Sequence, residues 1–462
     1  MRTYDAVVIG AGPGGSAAAQ QVTLRGGRAC MIDVGPLGGT CLNVGCMPTK
    51  ALLGSSGRYW DMKNTEDLAI EPAEVSRPDT GRIMRRVSEF VRDLRHATQQ
   101  KIASNENLDL IRGRARIVDP ETVAVETEDG EIEVFGTHLV IATGSSPRRP
   151  AIFDWSDPGI INSDQAIQMD SLPQSVLVIG GGPIGCEFAT AYGELGVRTR
   201  LIEAADRLLG RYSEDVSDVA ANSLRRRGVE LALGHNVQKV CRKGDDIRVE
   251  FEDSQGMQAQ VVMVAVGRRP NLDDIGLENL NVEMAGNVIS VDERCRTSEK
   301  HVYAVGDAAE KRQHSHLAVR MGVVAGDQIM GCDTTDDRKV VVQGTYTHPE
   351  IACVGCCGED RCPPAESAVQ LRRDFADSGS ARAFGRTEGF VKVVVHRETH
   401  RILGGTWAGV HAVEMIHEIA LAIRHELTLE DIYHTIHAHP GFQESLHALA
   451  ENFLEPRLGS CQ

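Results

Sequence analysis

The stretch Asp5-Ala6-Val7-Val8-Ile9-Gly10-Ala11-Gly12-Pro13-Gly14-Gly15 runs an apolar segment straight into a cluster of glycines. A short continuous apolar run ending in glycine reads as a strand buried on both faces. Ser16-Ala17-Ala18-Ala19 then starts a helix of small residues, and Cys30-Met31-Ile32 forms a second strand that ends at Asp33. A glycine turn between strand and helix, with an acid closing the next strand, is the fingerprint of a dinucleotide-binding unit. In that reading Gly10 makes the tight turn, Gly12 admits the pyrophosphate and Gly15 lets the helix pack on the sheet. Helix N–H groups hold the pyrophosphate, and Asp33 is placed to accept from a ribose hydroxyl.

The pattern recurs. Ser175-Val176-Leu177-Val178-Ile179 leads into Gly180-Gly181-Gly182-Pro183-Ile184-Gly185, and Thr199-Arg200-Leu201-Ile202 ends at Glu203. First glycine to acid is 23 residues in both copies, from 10 to 33 and from 180 to 203. Matched spacing in an internal repeat predicts two dinucleotide sites. A carboxylate at Glu203 repels a 2′-phosphate and accepts from a free 2′-hydroxyl, which favours NAD over NADP; Arg207 is nearby but does not take the acid's place.

Just beyond the first copy lies Gly38-Gly39-Thr40-Cys41-Leu42-Asn43-Val44-Gly45-Cys46-Met47-Pro48-Thr49-Lys50. On a regular helix a separation of five turns two side chains roughly 140° apart, so a bond between Cys41 and Cys46 needs an irregular turn. Gly45 allows that bend, and Gly38-Gly39 permit close approach of the backbone to something flat and large. Two readings stay open on these residues alone. One is a redox dithiol lying beside a cofactor; the other is a pair of buried cysteines that remain reduced.

At 462 residues the chain has room for about three domains. With 25% charged and 42% apolar residues its composition is that of a soluble globular protein. The net charge of −16 opposes nonspecific nucleic-acid binding and a basic membrane anchor, and no apolar run approaches a membrane span. Met1-Arg2-Thr3-Tyr4-Asp5 passes directly into the first strand, leaving no room for a signal peptide. Twelve cysteines, mostly unpaired by spacing, suggest reduced thiols. These features together lead us to expect a cytoplasmic location.

Between the two glycine copies, residues 80–104 carry an amphipathic, Arg-rich helical pattern. Strands follow around 108–118 and 122–134, and His138-Leu139-Val140-Ile141-Ala142-Thr143-Gly144 is a buried strand with a small-residue turn. Residues 145–150 have the proline and polar content of a linker. Val261-Val262-Met263-Val264-Ala265-Val266-Gly267-Arg268-Arg269-Pro270-Asn271 reads as a buried strand and turn, and His301-Val302-Tyr303-Ala304-Val305-Gly306-Asp307 as another. Asp307 stands either where a ribityl or phosphate group passes or as a cap on the helix beginning near His316. From Val340 strands precede helices, an α+β region without a nucleotide motif. It holds Thr435-Ile436-His437-Ala438-His439-Pro440-Gly441-Phe442-Gln443-Glu444, in which His439 is suited to moving protons and Glu444 to orienting its ring; a structural histidine beside a proline turn is the other reading.

In this order and spacing the motifs resemble the flavin-dependent pyridine-nucleotide–disulfide oxidoreductases, and among them the dihydrolipoamide dehydrogenases. The resemblance runs nearly end to end; Leu42 and His437-Ala438-His439-Pro440 lean towards the latter group. Mercuric, glutathione and trypanothione reductases are similar, but generally favour NADP, with basic residues where Glu203 stands. The resemblance implies an α/β fold: FAD-binding residues 1–150 and 265–338, an NAD-binding unit at 151–264, and a C-terminal α+β dimerisation domain at 339–462. It implies FAD contacts at Gly10, Gly12, Gly14, Gly15, Asp33, Gly39, Thr40, Lys50, Ala115, Ala142, Thr143, Gly144, Asp307 and Ser315. It implies NAD contacts at Gly180, Gly182, Ile184, Gly185, Glu203, Val237 and Gly267.

By the same resemblance Cys41 exchanges with substrate and Cys46 is the thiolate against the flavin. Lys50 lies near the flavin's reactive edge, paired with Glu187. His439, held by Glu444, is the acid–base and faces the dithiol of the other subunit in a head-to-tail homodimer. The implied reaction oxidises a protein-bound dihydrolipoyl group, on a lipoylated carrier, and reduces NAD⁺ through the Cys41–Cys46 disulfide and FAD. The rival readings are an NADH-driven reductase of another disulfide or metal substrate, and a redox-sensing subunit without turnover; the His439–Glu444 pair argues against a sensor. The chain departs from the family at Cys353, Cys356, Cys357 and Cys362. Cys353-x-x-Cys356 is half of a zinc-type knuckle, but the second half is loosely spaced, so ordinary thiols and no metal are expected. Cys461 is single, and reads as a thiol on a frayed end.

Overall fold

The computed structural model describes residues 3–72, 76–252, 256–356 and 366–458. Strand Ala6–Ile9 is buried along its length and lies in the middle of a five-stranded sheet. The order is Val302–Ala304, Leu139–Ile141, Ala6–Ile9, Ala29–Asp33, Leu108–Arg112, and every neighbouring pair is parallel. Helix Pro13–Leu24 packs against helix Ser315–Ile329 through glycine: a Cβ on Gly322 would lie 2.2 Å from the Gly14 carbonyl oxygen.

The second glycine copy builds the same arrangement. Its sheet runs Ile160–Asn162, Val261–Val264, Ser175–Ile179, Arg198–Glu203, Glu230–Leu233, again parallel throughout. In both sheets the strand before the glycines is flanked on one side by the acid-bearing strand and on the other by a strand from much later in the chain. The connection reverses there, opening a crevice at the carboxyl ends of the strands, where ligands of such sheets bind.

The segment read as a linker is a strand. Ser145–Pro147 pairs antiparallel with Arg268–Pro270, so the outgoing and returning crossings between the two units satisfy each other's backbone groups. The partner lies far away in sequence, which is why local composition does not reveal it.

The C-terminal sheet is antiparallel, in the order Gln343–Thr345, Glu350–Gly355, Ile402–Gly409, Phe390–His396, Ala368–Asp374. Helices Ala412–Arg424 and Glu444–Leu458 contribute Ile416, Ile419, Leu446 and Leu449 to the core beneath Trp407. The edge strands Gln343–Thr345 and Ala368–Asp374 are too short or too polar to stand out from sequence. Lys392 joins this unit to the second sheet's unit, its Nζ donating to Asp215 at 2.8 and 2.9 Å and to Ser213 Oγ at 2.8 Å. Of the unusual cysteines, Cys357, Cys362 and Cys461 lie outside the described residues, while Cys353 is buried in strand Glu350–Gly355. Among the described residues no cluster of His, Cys, Asp and Glu is placed to hold a metal ion, and no helix is long and apolar enough to cross a membrane.

Candidate functional site

The two glycine loops share the same close contacts. Gly10 has φ +107° and Gly180 φ +110°; a Cβ on either would strike the carbonyl oxygen of Ala142 or Ala265, at 2.3 and 2.5 Å. A Cβ on Gly15 would lie 2.0 Å from the Gly10 oxygen, and one on Gly185 1.9 Å from the Gly180 oxygen. These four positions therefore require glycine for close packing. Gly12 and Gly182 face open space instead, with no atom nearer than 3.9 Å to a Cβ on Gly12 and none within 4 Å at Gly182. Asp33 accepts the Ala11 N–H at 2.5 Å and the Gly35 N–H at 2.7 Å. Glu203 accepts the Gly181 N–H at 2.5 Å and the Ala205 N–H at 2.9 Å.

One continuous cavity of about 2000 Å³ joins the loops. That exceeds the usual small-ligand range of ~300–1,000 Å³ and leaves room for two large cofactors. Every expected cofactor contact lines it except Gly15 and Gly185, which pack beneath the loops, and Ala115, which is buried on strand Arg114–Asp119 opposite Val125. Thr143 Oγ1, in the cavity wall, is buried without a protein partner.

Cys41 lies on the one-turn helix Gly39–Asn43 and Cys46 opens helix Cys46–Lys63. Val44 and Gly45 break the helix between them, which is the irregular turn the spacing demands. Gly45 eases the turn, because a Cβ there would crowd the Thr40 carbonyl oxygen at 3.0 Å. Gly39 lines the cavity and has a packing use besides. Its missing Cβ makes room for the backbone of Gly12, whose Cα would be 2.7 Å away, and this seats the dithiol segment directly on the first glycine loop.

Both thiols are reduced, half-buried and on the cavity wall. The Cys46 thiol donates to Cys41; that bond, helped by the Ser315 hydroxyl and the charge of Lys50, outweighs burial and holds Cys41 down to about 6. Cys46, as the donor in a buried site beside the Cys41 anion, is pushed up. The two thiols thus titrate as a pair that readily holds a single negative charge. Cys30 and Cys295 behave oppositely: burial pushes each up to about 12.

Lys50 stands one turn after Cys46, its Nζ 2.8 Å from Glu187 Oε2 and 4.5 Å from the centre of the Tyr346 ring. Glu187, on helix Pro183–Glu194, also accepts the Tyr346 N–H at 2.9 Å. Burial works against the ammonium, but the Glu187 carboxylate overcomes it and keeps the Lys50 pKa above its ordinary value.

His439 lies elsewhere. Its Nδ1 is 2.8 Å from Glu444 Oε1, whose other oxygen accepts the Gly441 N–H at 2.7 Å. The Gly441 N–H, then the imidazole, hold Glu444 below the usual carboxylate range. The ring is 83% exposed and does not line the cavity that holds the dithiol. His437 is the structural one of the two, 7% exposed and tied to Glu418 and the Thr435 carbonyl, each at 2.9 Å.

Asp307 accepts the Ser145 hydroxyl at 2.6 Å, and burial raises its pKa. It does not cap helix Ser315–Ile329, whose first flanking residue is His314. Arg268, on strand Arg268–Pro270, is a further residue of this wall. Its guanidinium, 11% exposed, donates to Ser145 Oγ at 2.9 Å, the Ser145 carbonyl at 2.7 Å, Asp164 at 3.1 Å and Thr40 Oγ1 at 3.3 Å. It pins the wall where both units meet. An arginine in the turn after a buried strand was the one available signal.

Residues 4–322 match the family described as pyridine nucleotide-disulphide oxidoreductase, and residues 341–450 match that family's dimerisation domain. A dihydrolipoyl dehydrogenase of Geobacillus stearothermophilus is 33% identical over 451 residues, 97% of this chain and 95% of that one. One from Chlamydia pneumoniae is 34% identical over 442 residues, 96% of this chain and 95% of the relative. Among solved structures, the HOCl-induced flavoprotein disulfide reductase RclA from Escherichia coli superimposes with a TM-score of 0.86 at 27% identity, covering 97% of this chain and 99% of that one. LpdA from Mycobacterium tuberculosis does so with 0.87 at 25% identity, covering 97% and 99%.

Proposed function

The chain belongs to the pyridine nucleotide-disulphide oxidoreductases, and within them we propose that it oxidises a protein-bound dihydrolipoyl group with NAD⁺ as acceptor. Its cofactors are FAD and NAD(H). The residues present suit both: Gly12 and Gly182 leave open ground before the starts of two helices, and Thr143 offers a hydroxyl without a protein partner. FAD belongs to the first loop, on which the dithiol segment is seated. NAD belongs to the second, where Glu203 disfavours a 2′-phosphate. FAD, when bound, would supply the two-electron chemistry that links the dithiol to NAD⁺.

The chain's own residues supply the rest. Glu444 accepts from His439 Nδ1–H and so leaves Nε2 free to take a proton. His439 of the partner subunit removes the proton of a dihydrolipoyl thiol, and the substrate thiolate attacks Cys41 of the Cys41–Cys46 disulfide. The S–S bond breaks and Cys46 leaves as a thiolate. The second substrate thiol then displaces Cys41, its proton ending on the departing Cys41 sulfur, which releases the lipoyl disulfide and leaves both electrons on the pair. Lys50, kept charged by Glu187, stabilises negative charge on either sulfur of the pair. The family's dimerisation domain at 341–450 supports a homodimer, and the proposed partner is a lipoylated carrier protein or domain.

The observation that carries this reading is the exposed imidazole of His439, oriented by a carboxylate yet away from its own chain's dithiol. The test is to mix the FAD-loaded protein with NAD⁺ and dihydrolipoamide, then with several lipoylated carriers, and follow NADH. Rapid NADH formation is expected. Turnover of neither lipoamide form, with NADH oxidised by another disulfide or a metal acceptor, would make it a reductase working the other way. No flavin reduction within seconds would make it a sensor.

A further inference from the structure

Helix Pro183–Glu194 carries two buried carboxylates, Glu187 near its start and Glu194 at its end. Seven residues are almost two turns, so both side chains leave the same face, about 10 Å apart. Each makes the same kind of junction. Glu187 takes Lys50 of helix Cys46–Lys63 and the Tyr346 N–H of the C-terminal unit. Glu194 takes Ser56 Oγ of that same helix at 2.6 Å and His348 Nδ1, two residues beyond Tyr346, at 2.8 Å. Arg227 Nε completes the second junction at 2.8 Å, with its guanidinium 4.9 Å from the Trp60 ring centre.

The Glu194 side chain has no solvent exposure and Arg227 only 7%. His348 rests on helix Cys46–Lys63 itself: a Cβ on Gly57 would lie 2.5 Å from its Cε1. The mechanism above uses none of these groups. A polar network whose carboxylate and guanidinium are buried and bonded, with the 32%-exposed His348 ring bonding from its rim, favours one arrangement of the elements it joins. This one joins three units along the two helices that carry Glu187, Lys50 and Cys46.

We propose that Glu194 and His348 are positioning residues for the Lys50–Glu187 pair, setting from almost two turns farther along the two helices where the ammonium stands relative to Cys46. The proposal rests on the reading of Lys50 as the cation beside the dithiol. With the His348 bond gone, the helices lose their fixed register and the ammonium moves off the sulfurs, so the dithiol holds its protons more tightly.

The test is the pH dependence of iodoacetamide alkylation of Cys41 and Cys46 in the reduced, FAD-loaded, full-length protein, read by peptide mass spectrometry. His348→Ala should raise the midpoint by about half a pH unit. His348→Asn, which returns an N–H donor to Glu194, should restore it. Glu187→Gln is the reference and should move the midpoint as well. If Glu187→Gln moves it and His348→Ala does not, the proposal is overturned and the reading of Lys50 stands. If Glu187→Gln does nothing, that reading falls and the proposal with it. A shift in His348→Ala that His348→Asn fails to restore also overturns it, because lost packing and not the hydrogen bond would then be the cause. Glu194→Gln should shift the midpoint in the same direction as His348→Ala where it folds, and the His348 pair decides the matter where it does not.

Discussion

Asp33 and Glu203 do the same work in the two halves of the chain: each accepts the N–H of the residue after the first loop glycine, Ala11 or Gly181, at 2.5 Å. Each acid therefore braces its loop as well as facing the cavity. Glu203→Ala should raise the KM for NAD⁺ about 10- to 100-fold, the equivalent of losing a hydrogen bond to a charged group worth ~1.5–3 kcal/mol. Flavin content should not change, because the Asp33 loop is untouched. Steady-state kinetics with NAD⁺ and NADP⁺ check this; an unaltered KM would count against the second loop as the NAD site.

His439 is held by Glu444 but touches nothing in its own chain's cavity. His439→Ala should lower kcat with dihydrolipoamide by about 10²–10⁴, the usual worth of a positioned acid–base. Bound FAD should stay at wild-type levels by absorbance. A near-normal rate would refute the assigned role.

The dithiol should titrate as a pair that readily loses a single proton. Cys41 is held down to about 6, so its reactive anion is present above that pH and lost below it. Alkylation of the reduced protein should accordingly rise through about pH 6, well below the ~8.5 of an ordinary thiol. Ser315→Ala removes one of the bonds to Cys41 and should move the curve upward. A curve centred on the ordinary thiol value would show that the pair is not activated.

Lys392, 5% exposed, depends on Asp215 for its counter-charge. Asp215→Asn should cost about 3 kcal/mol, because a buried ammonium is left without its partner. Although burial opposes it, the bonds from Lys392 and Ser213 hold the Asp215 carboxyl below its ordinary value. Its contribution is thus fully present above the unfolded-state pKa of ~3.9 and fades as pH falls through the lower folded value. Calorimetry near neutral pH should show a lower melting temperature for Asp215→Asn, and the difference from wild type should shrink in acid. A constant difference would contradict the linkage.

Much of this molecule is legible in one dimension. Ala6–Ile9 and Ser175–Ile179 announce themselves as buried strands, and the acids at 33 and 203 sit at the strand ends the motif requires. The small residues at 10, 15, 180 and 185 follow from the close contacts that a glycine loop imposes on its own helix. Such features are local: strand, turn and helix are consecutive, so periodicity and glycine placement contain them.

What escaped the reading has a partner far along the chain. Ser145–Pro147 became a strand only because Arg268–Pro270 returns beside it. Arg268 acquires a role only when Thr40, Ser145 and Asp164 converge on it. The Glu194 junction needs Ser56, Arg227 and His348 from three separate elements. The amino-acid order by itself determined that there are two matched nucleotide loops and a cysteine pair beside the first. Only the folded chain decided how the pair is seated against the glycine loop, what charges surround it, and which histidine is left exposed. Those outcomes depend on distances between groups remote in sequence, and hydrogen bonding and charge act through distance.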